Sequence, residues 1–178
     1  MCGRVGFFDD IAWSRAVNNY YGRIDNRVGK LTPRYNIAPS QPLATLLNIG
    51  TYTFTHFGLI PHWMKERKAV AINARAKTLL QKPSFREPFQ HKRCIIPVNG
   101  FYEWKKEGSH KVPYWIHPKE GGFFALAGLW DEWKDKETGV SPAGVNLHTG
   151  TSGKDGLNPS FSKPAAYIPC QLLSLIHI

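Results

Sequence analysis

The chain has 178 residues, 42% of them hydrophobic and 13% aromatic, and a formal net charge of +10 at pH 7. That composition suits one globular domain with a packed core. It also suits a polyanionic partner with exposed bases, because Lys and Arg neutralise phosphates while aromatic faces stack on unpaired bases. No run of about 18 apolar residues is present, which argues against a helical membrane span, and the first residues lack the regions of a signal peptide. Three cysteines, at positions 2, 94 and 170, form no disulfide framework and point to a reducing cytosol. There is no Cys-x-x-Cys, and His56 and His62 lack a matching second pair, so neither a metal nor a cofactor is expected.

The N-terminus carries the first chemical signal. Cys2 follows Met1, and it is small enough for a methionine aminopeptidase to remove the methionine before it. The chain would then begin Cys2-Gly3-Arg4 with an amine and a thiol on adjacent carbons. Such a 1,2-aminothiol condenses with an aldehyde to an imine, onto which the thiol closes as a thiazolidine. An α-amine of pKa about 7.7–8.0 is roughly a tenth to a fifth neutral at pH 7. An incidental small residue at position 2 is the plainer alternative, so the weight falls on what accompanies Cys2.

Along the chain, residues 4–8 (RVGFF) read as a first strand. Asp9 or Asp10 caps a helix running to about Tyr21, with Trp13, Ala16, Tyr20 and Tyr21 at helical spacing. Pro33 and Pro39 bracket an expected extended loop. Leu43–Leu47 and Tyr52–Phe57 read as strands turning at Asn48-Ile49-Gly50. A short helix is expected at Ala74–Leu80, closed by Pro83, and in that case Asn73 is its natural cap. Residues 93–98, 100–105, 113–117 and 123–129 read as strands, with a hairpin turn at Glu107-Gly108-Ser109. The fold class is therefore α+β: a single domain, mainly antiparallel sheet or half-barrel with a few short helices. Cys94, inside an apolar strand, is expected to be an inert core residue.

Several motifs concentrate residues that core packing does not demand: Cys2-Gly3-Arg4, Arg34-Tyr35-Asn36-Ile37-Ala38-Pro39, Gly58-Leu59-Ile60-Pro61-His62-Trp63, Asn73-Ala74-Arg75-Ala76, Arg93-Cys94-Ile95-Ile96-Pro97 and Gly100-Phe101-Tyr102-Glu103-Trp104. Each alone is weak. In this order, over residues 1–139, the set resembles the SRAP (SOS-response-associated peptidase) domain, whose members crosslink covalently to abasic sites in single-stranded DNA. The resemblance implies that Cys2 is the nucleophile, with Asn73 and Glu103 as catalytic neighbours. It implies that Arg75 and Arg86 bind phosphates, that Trp63 and Trp104 line the cleft, and that Arg4 and Pro39 join them in DNA binding. It also implies self-removal of Met1, a monomeric, cytoplasmic, nucleoid-associated bacterial protein, and single-stranded DNA with abasic sites as partner.

Chemistry gives these roles a reason. A carboxylate near the sugar C1′ can move protons during ring opening and carbinolamine dehydration, which Glu103 would do from a partly buried position walled by Phe101, Tyr102 and Trp104. The alternative is a strand glutamate facing solvent or pairing with Lys105. The Asn73 amide both donates and accepts, which suits holding an amine or a sugar hydroxyl. The planar guanidinium of Arg75 and of Arg86 suits phosphate, although for a lone arginine a solvated position is the default. Pro39 suits a wedge against a neighbouring base or simply a rigid loop corner.

After Gly139 the motif match ends. Residues 140–172 read as a non-matching, Gly/Ser/Pro-rich tail, and residues 173–178 (LSLIHI) as the translation of a sequencing adapter. A sheet edge left without its next strand is therefore expected. Neither His148 nor His177 is assigned a role. Two other classes compete with abasic-site crosslinking: an N-terminal-nucleophile cysteine hydrolase using the Cys2 thiol with its own amine as base, and a non-covalent single-strand binding module in which Cys2 is incidental.

Overall fold

Short runs of buried residues build the centre of the molecule, with Pro42–Leu47 and Arg93–Val98 buried at almost every position. The computed structural model describes residues 3–21, 24–66, 71–75, 78–134 and 143–149. The elements run β1 (Val5–Phe7), α1 (Ile11–Tyr21), β2 (Asp25–Asn26), β3 (Arg34–Ile37), β4 (Pro42–Leu47), β5 (Thr51–Phe57), β6 (Asn73–Arg75), α2 (Pro83–His91), β7 (Arg93–Val98), β8 (Gly100–Glu107), β9 (His110–Ile116), β10 (Phe124–Glu132) and β11 (Ala143–Thr149). Two sheets result: four strands in the order β3-β1-β8-β9, and seven in the order β2-β5-β4-β7-β10-β11-β6. Their pairing is mostly antiparallel, with short parallel ladders joining β11 to β5 and β6, and β2 to β5. Because β11 meets both β10 and β5, the larger sheet curls back on itself. The α+β class expected from sequence is the one observed.

The core lies between the sheets and under α1. Val5, Phe7, Trp13, Leu43, Phe57, Ile96 and Val98 are almost wholly buried. Trp13 sits edge-on to Phe123, with centroids 5.4 Å apart, a preferred aromatic geometry. The start of α1 is tied by the Asp9 carboxylate, which accepts from the Ile11 N–H at 3.0 Å. Asn99, buried between β7 and β8, fixes the end of β1. Its Oδ1 accepts from the backbone N–H groups of Phe8 and Asp9, and its Nδ2 donates to the carbonyls of Asp9 and Gly122. A satisfied amide of this kind pins one chain path.

Three local expectations are corrected. Residues 34–37 are not a loop but strand β3, paired with β1; the bracketing prolines limit the strand rather than forbid it. At the start of the expected Ala74–Leu80 helix, β6 instead covers Ala74 and Arg75, and Pro83 does not close a helix but opens α2. Lys82 has the extended backbone that a following proline imposes, and proline at the first helical position forgoes an N–H that would be unpaired anyway. Asn73 is accordingly a strand residue paired with Leu147 and not a helix cap. Finally, β11 covers the edge of β10 that the sequence leaves open, beyond the Gly139 limit of the motif match.

Candidate active site

The register of β1 against β8 sets the site. Val5 pairs with Phe101 and Gly6 with Gly100, and the Tyr102 N–H donates to the Arg4 carbonyl at 2.9 Å. Continued one step further, this antiparallel register would bring Gly3 opposite Glu103. On its other side Gly3 meets the segment that leads into β6: a Cβ at position 3 would lie 3.8 Å from Ile72 Cδ1. The segment leading into β1 thus runs beside Ile72, the residue before Asn73. Cys2, bonded to Gly3, lies outside the described residues.

Asn73 stands at the edge of the core. Ala74 is fully buried while Arg75 is exposed, so β6 alternates between core and surface with Asn73 at the boundary. The Asn73 Oδ1 is buried and has no hydrogen-bond partner among the described residues. Leaving a buried acceptor unpaired costs about 1–3 kcal/mol, so this oxygen suits a donor that arrives with the N-terminus or a ligand.

Alternation along β8 separates two residues that the sequence placed together. Glu103 shares a strand face with Phe101, which packs on Phe124 with centroids 5.8 Å apart. Tyr102 and Trp104 take the opposite face, with centroids 6.5 Å apart, and Tyr102 touches Trp115 at 4.7 Å. The wall around Glu103 is therefore built from Phe101 and not from Tyr102 and Trp104. Trp104 is 43% exposed and Trp63 is 56% exposed, so both offer ring surface to solvent.

Arg4 donates through Nη1 to Asn36 Oδ1 at 3.0 Å, linking the first motif to β3. Pro39 occupies the second position of the turn Ala38–Gln41, closed by the Gln41 N–H to the Ala38 carbonyl at 3.2 Å. Ser40 follows at φ 71, where non-glycine residues are uncommon. The turn is braced by Gln41 Oε1, which accepts from both Arg34 Nη2 and the Ala38 N–H. Arg86 lies on the exposed side of α2 and donates from Nε to the Leu80 carbonyl at 3.2 Å. Arg75 is exposed at the end of β6.

Sequence reasoning missed a buried ionic cluster beside Trp63. Asp131 has a side chain only 1% exposed. It accepts from Lys92 Nζ at 2.7 Å, from the His62 backbone N–H at 2.8 Å and ring Nδ1 at 2.9 Å, and from the Glu132 N–H at 2.9 Å. Glu87 of α2 completes the cluster, 3.3 Å from Lys92 and 3.5 Å from the His62 ring. Burial pulls the Asp131 pKa up, but the bonds from Lys92, His62 and Glu132 outweigh it and hold the carboxyl below its ordinary value. Burial likewise pulls Lys92 down, while Asp131 and then Glu87 more than restore it, and the amine ends above its ordinary value. The one sequence signal was a carboxylate in the run Leu129-Trp130-Asp131-Glu132-Trp133, where a buried charge needs partners. Among the described residues no group of three or more His, Cys, Asp or Glu side chains could hold a metal ion, and no helix is long and apolar enough to cross a membrane.

The family profile described as SOS response associated peptidase (SRAP) matches residues 1–151. The chain is similar to abasic site processing protein YoqW of Bacillus subtilis, 41% identical over 160 residues, covering 85% of this chain and 66% of the relative. It is also similar to abasic site processing protein YoaM of the same species, 40% identical over 142 residues, covering 75% and 60%. The chain thus spans just under two thirds of the length of these curated relatives. A crystal structure of a protein from Bacteroides thetaiotaomicron superposes with a TM-score of 0.74 at 29% identity, covering 98% of this chain and 86% of that one. With most of its length inside the matched profile, this chain belongs to the SOS response associated peptidase family.

Proposed function

We propose that the chain processes abasic sites in single-stranded DNA by forming a covalent crosslink through Cys2 after loss of Met1. The observation that carries this reading is the placement of Gly3: the β1–β8 register, continued two residues beyond Val5, leads it towards Glu103, and a Cβ on it would meet Ile72, the neighbour of Asn73. In this reading Cys2, bonded to Gly3, is carried towards the Glu103 carboxylate and the buried Asn73 Oδ1, which lacks a partner among the described residues. Relatives named abasic site processing proteins support the same substrate.

The chemistry balances without a cofactor. The Cys2 amine adds to the open-chain C1′ aldehyde of the abasic sugar to give a carbinolamine. Glu103 as general acid protonates its hydroxyl, and water leaves as the imine forms. The thiol sulfur then bonds to the imine carbon and its proton passes to nitrogen, closing the thiazolidine. Asn73 Oδ1 accepts from the Cys2 amine and orients its lone pair. Arg75 and Arg86 hold phosphates, Arg4 and Pro39 border the lesion, and Trp63 and Trp104 offer faces to flanking bases. Nothing in this set reads a base edge, so no sequence preference is expected.

The test is a denaturing gel of Met1-free protein with a single-stranded oligonucleotide carrying one abasic site. A retarded band formed by the wild type but not by Cys2→Ala, and not with undamaged DNA, supports the reading. Folded protein lacking Met1 that gives no band overturns it.

A further inference from the structure

The cluster around Asp131 lies next to Trp63 and Arg86, and it holds a histidine given no role above. The His62 ring is 44% exposed, and its Nδ1 bonds to Asp131. Because Nδ1 donates to a carboxylate, the neutral ring keeps Nε2 as an acceptor on its far side, away from Asp131. Only the protonated ring has a second N–H to offer there. The groups facing it are Asp131 from β10, and Glu87 and Lys92 from α2 and its C-terminal cap. Exposed Lys65 and Glu66 follow on its own loop.

The charges of this cluster do not cancel while His62 is neutral. Lys92 offsets one of the two carboxylates and the other remains. Protonating His62 makes the cluster neutral and also creates an outward N–H donor. Both changes favour an approaching phosphate, the first by removing repulsion and the second by adding a charge-assisted hydrogen bond. The position matches: His62 directly precedes exposed Trp63, and Glu87 directly follows exposed Arg86.

We propose that His62, held in place by Asp131, is a proton-dependent contact to a backbone phosphate of single-stranded DNA flanking the lesion. This rests on the reading that DNA passes over Trp63 and Arg86, and it adds a residue and a pH dependence to that reading. Phosphodiesters do not titrate near neutrality, so the dependence comes from the protein.

The experiment measures the affinity of the full chain for an undamaged, fluorescently labelled single-stranded oligonucleotide by anisotropy, at constant ionic strength. The pH runs from about 8 to about 5.5, where histidine side chains titrate. Wild-type affinity is expected to rise by about three- to tenfold towards the acid end. His62→Gln, which keeps a polar side chain but cannot charge, should match the wild type at high pH and rise less steeply towards the acid end, the other histidines of the chain being common to both. Glu87→Gln, at a half-exposed position, should raise affinity at pH 8 by about two- to threefold, an outcome that a merely structural role does not give. Superimposable profiles for wild type and His62→Gln, with Glu87→Gln unchanged, overturn the inference. A wild type that binds with the expected profile yet never crosslinks to abasic DNA removes the proposed function and leaves this contact standing.

Discussion

Trp115 lies flat against Gly100 and Gly6. A Cβ at Gly100 would collide with the indole at Cζ2 and come within 2.6 Å of the Ile116 carbonyl oxygen, and one at Gly6 would come within 2.8 Å of Cη2. The two glycines lie side by side on β1 and β8, so they form a flat floor on which Trp115 rests. Continued two residues past Val5, the same register would bring Gly3 opposite Glu103. The indole therefore clamps β1 onto β8.

Gly100→Ala should destabilise the protein by about 2–4 kcal/mol. One of the contacts is a backbone carbonyl that cannot swing aside, and overpacking of this kind is among the costlier single changes. Urea denaturation followed by tryptophan fluorescence reads the shift. A loss below about 0.5 kcal/mol would show that β9 yields and that the clamp is loose.

The Asp131 cluster makes a pH-dependent contribution whose sign follows from its two shifts. The Asp131 carboxyl is held below its ordinary value, so its contribution is complete above about pH 4 and is lost as acid titrates the folded group. Lys92 is held above its ordinary value, so its contribution is complete below about pH 10 and is lost as base titrates the folded amine. At pH 7, Asp131→Asn should cost on the order of 3 kcal/mol, because it leaves Lys92 without its main partner. The gap to the wild type should narrow below about pH 4. Adding Lys92→Met to Asp131→Asn should recover much of the loss; a double variant as unstable as the sum of the single ones would rule out this pairing.

What the sequence revealed and what it hid divide along the range of the interactions. The β4–β5 hairpin was legible because Asn48-Ile49-Gly50 is a local turn signal, and Gly50 does take φ 79. So was the β8–β9 hairpin, where Gly108 sits at φ 60. Pro83 was misread because a proline ends one helix or begins another by the same local rule, and only the packing of Phe85 and Pro88 decides. Asn73 looked like a cap because its strand partner, Leu147, is far along the chain. His62 and Asp131 are 69 residues apart, and no local pattern joins them. The motifs marked Glu103 and Trp104 as neighbours, but strand alternation sends them to opposite faces.

Two of the three cysteines, Cys2 and Cys94, should behave oppositely in an assay. Cys94 is buried in β7, and burial pushes its thiol well above the ordinary range, which leaves it protonated and unreactive. Cys94→Ala should cost about 1–2 kcal/mol of stability through the small cavity it leaves, with crosslinking at the wild-type level. Cys2→Ala should abolish crosslinking at unchanged stability. Mass spectrometry after exposure to a maleimide under native conditions should find no adduct on Cys94.

Glu103→Gln keeps the shape of the side chain and removes its proton transfer. The crosslinking rate at saturating DNA should fall by roughly 10²-fold, within the range of general acid–base catalysis. Quenched time points on abasic oligonucleotide measure it directly. A rate within about threefold of the wild type would assign the proton transfers to another group.

Arg75 and Arg86 are separated by their salt dependence rather than by affinity alone. If each neutralises one phosphate of a single strand, log affinity against log salt should flatten by about 0.7 for Arg75→Gln and by about the same for Arg86→Gln. The double variant should flatten it by about 1.4, since the two lie on different elements with no shared partner among the contacts described. Arg86 also donates to the Leu80 carbonyl, so its replacement frees the segment ahead of α2 as well. Arg86→Lys discriminates between these effects: a lysine keeps the charge and hence the slope, but it loses the fork geometry and with it some affinity. A slope left unchanged by Arg86→Gln would confine that arginine to holding Leu80, and would leave the phosphate contacts to β6.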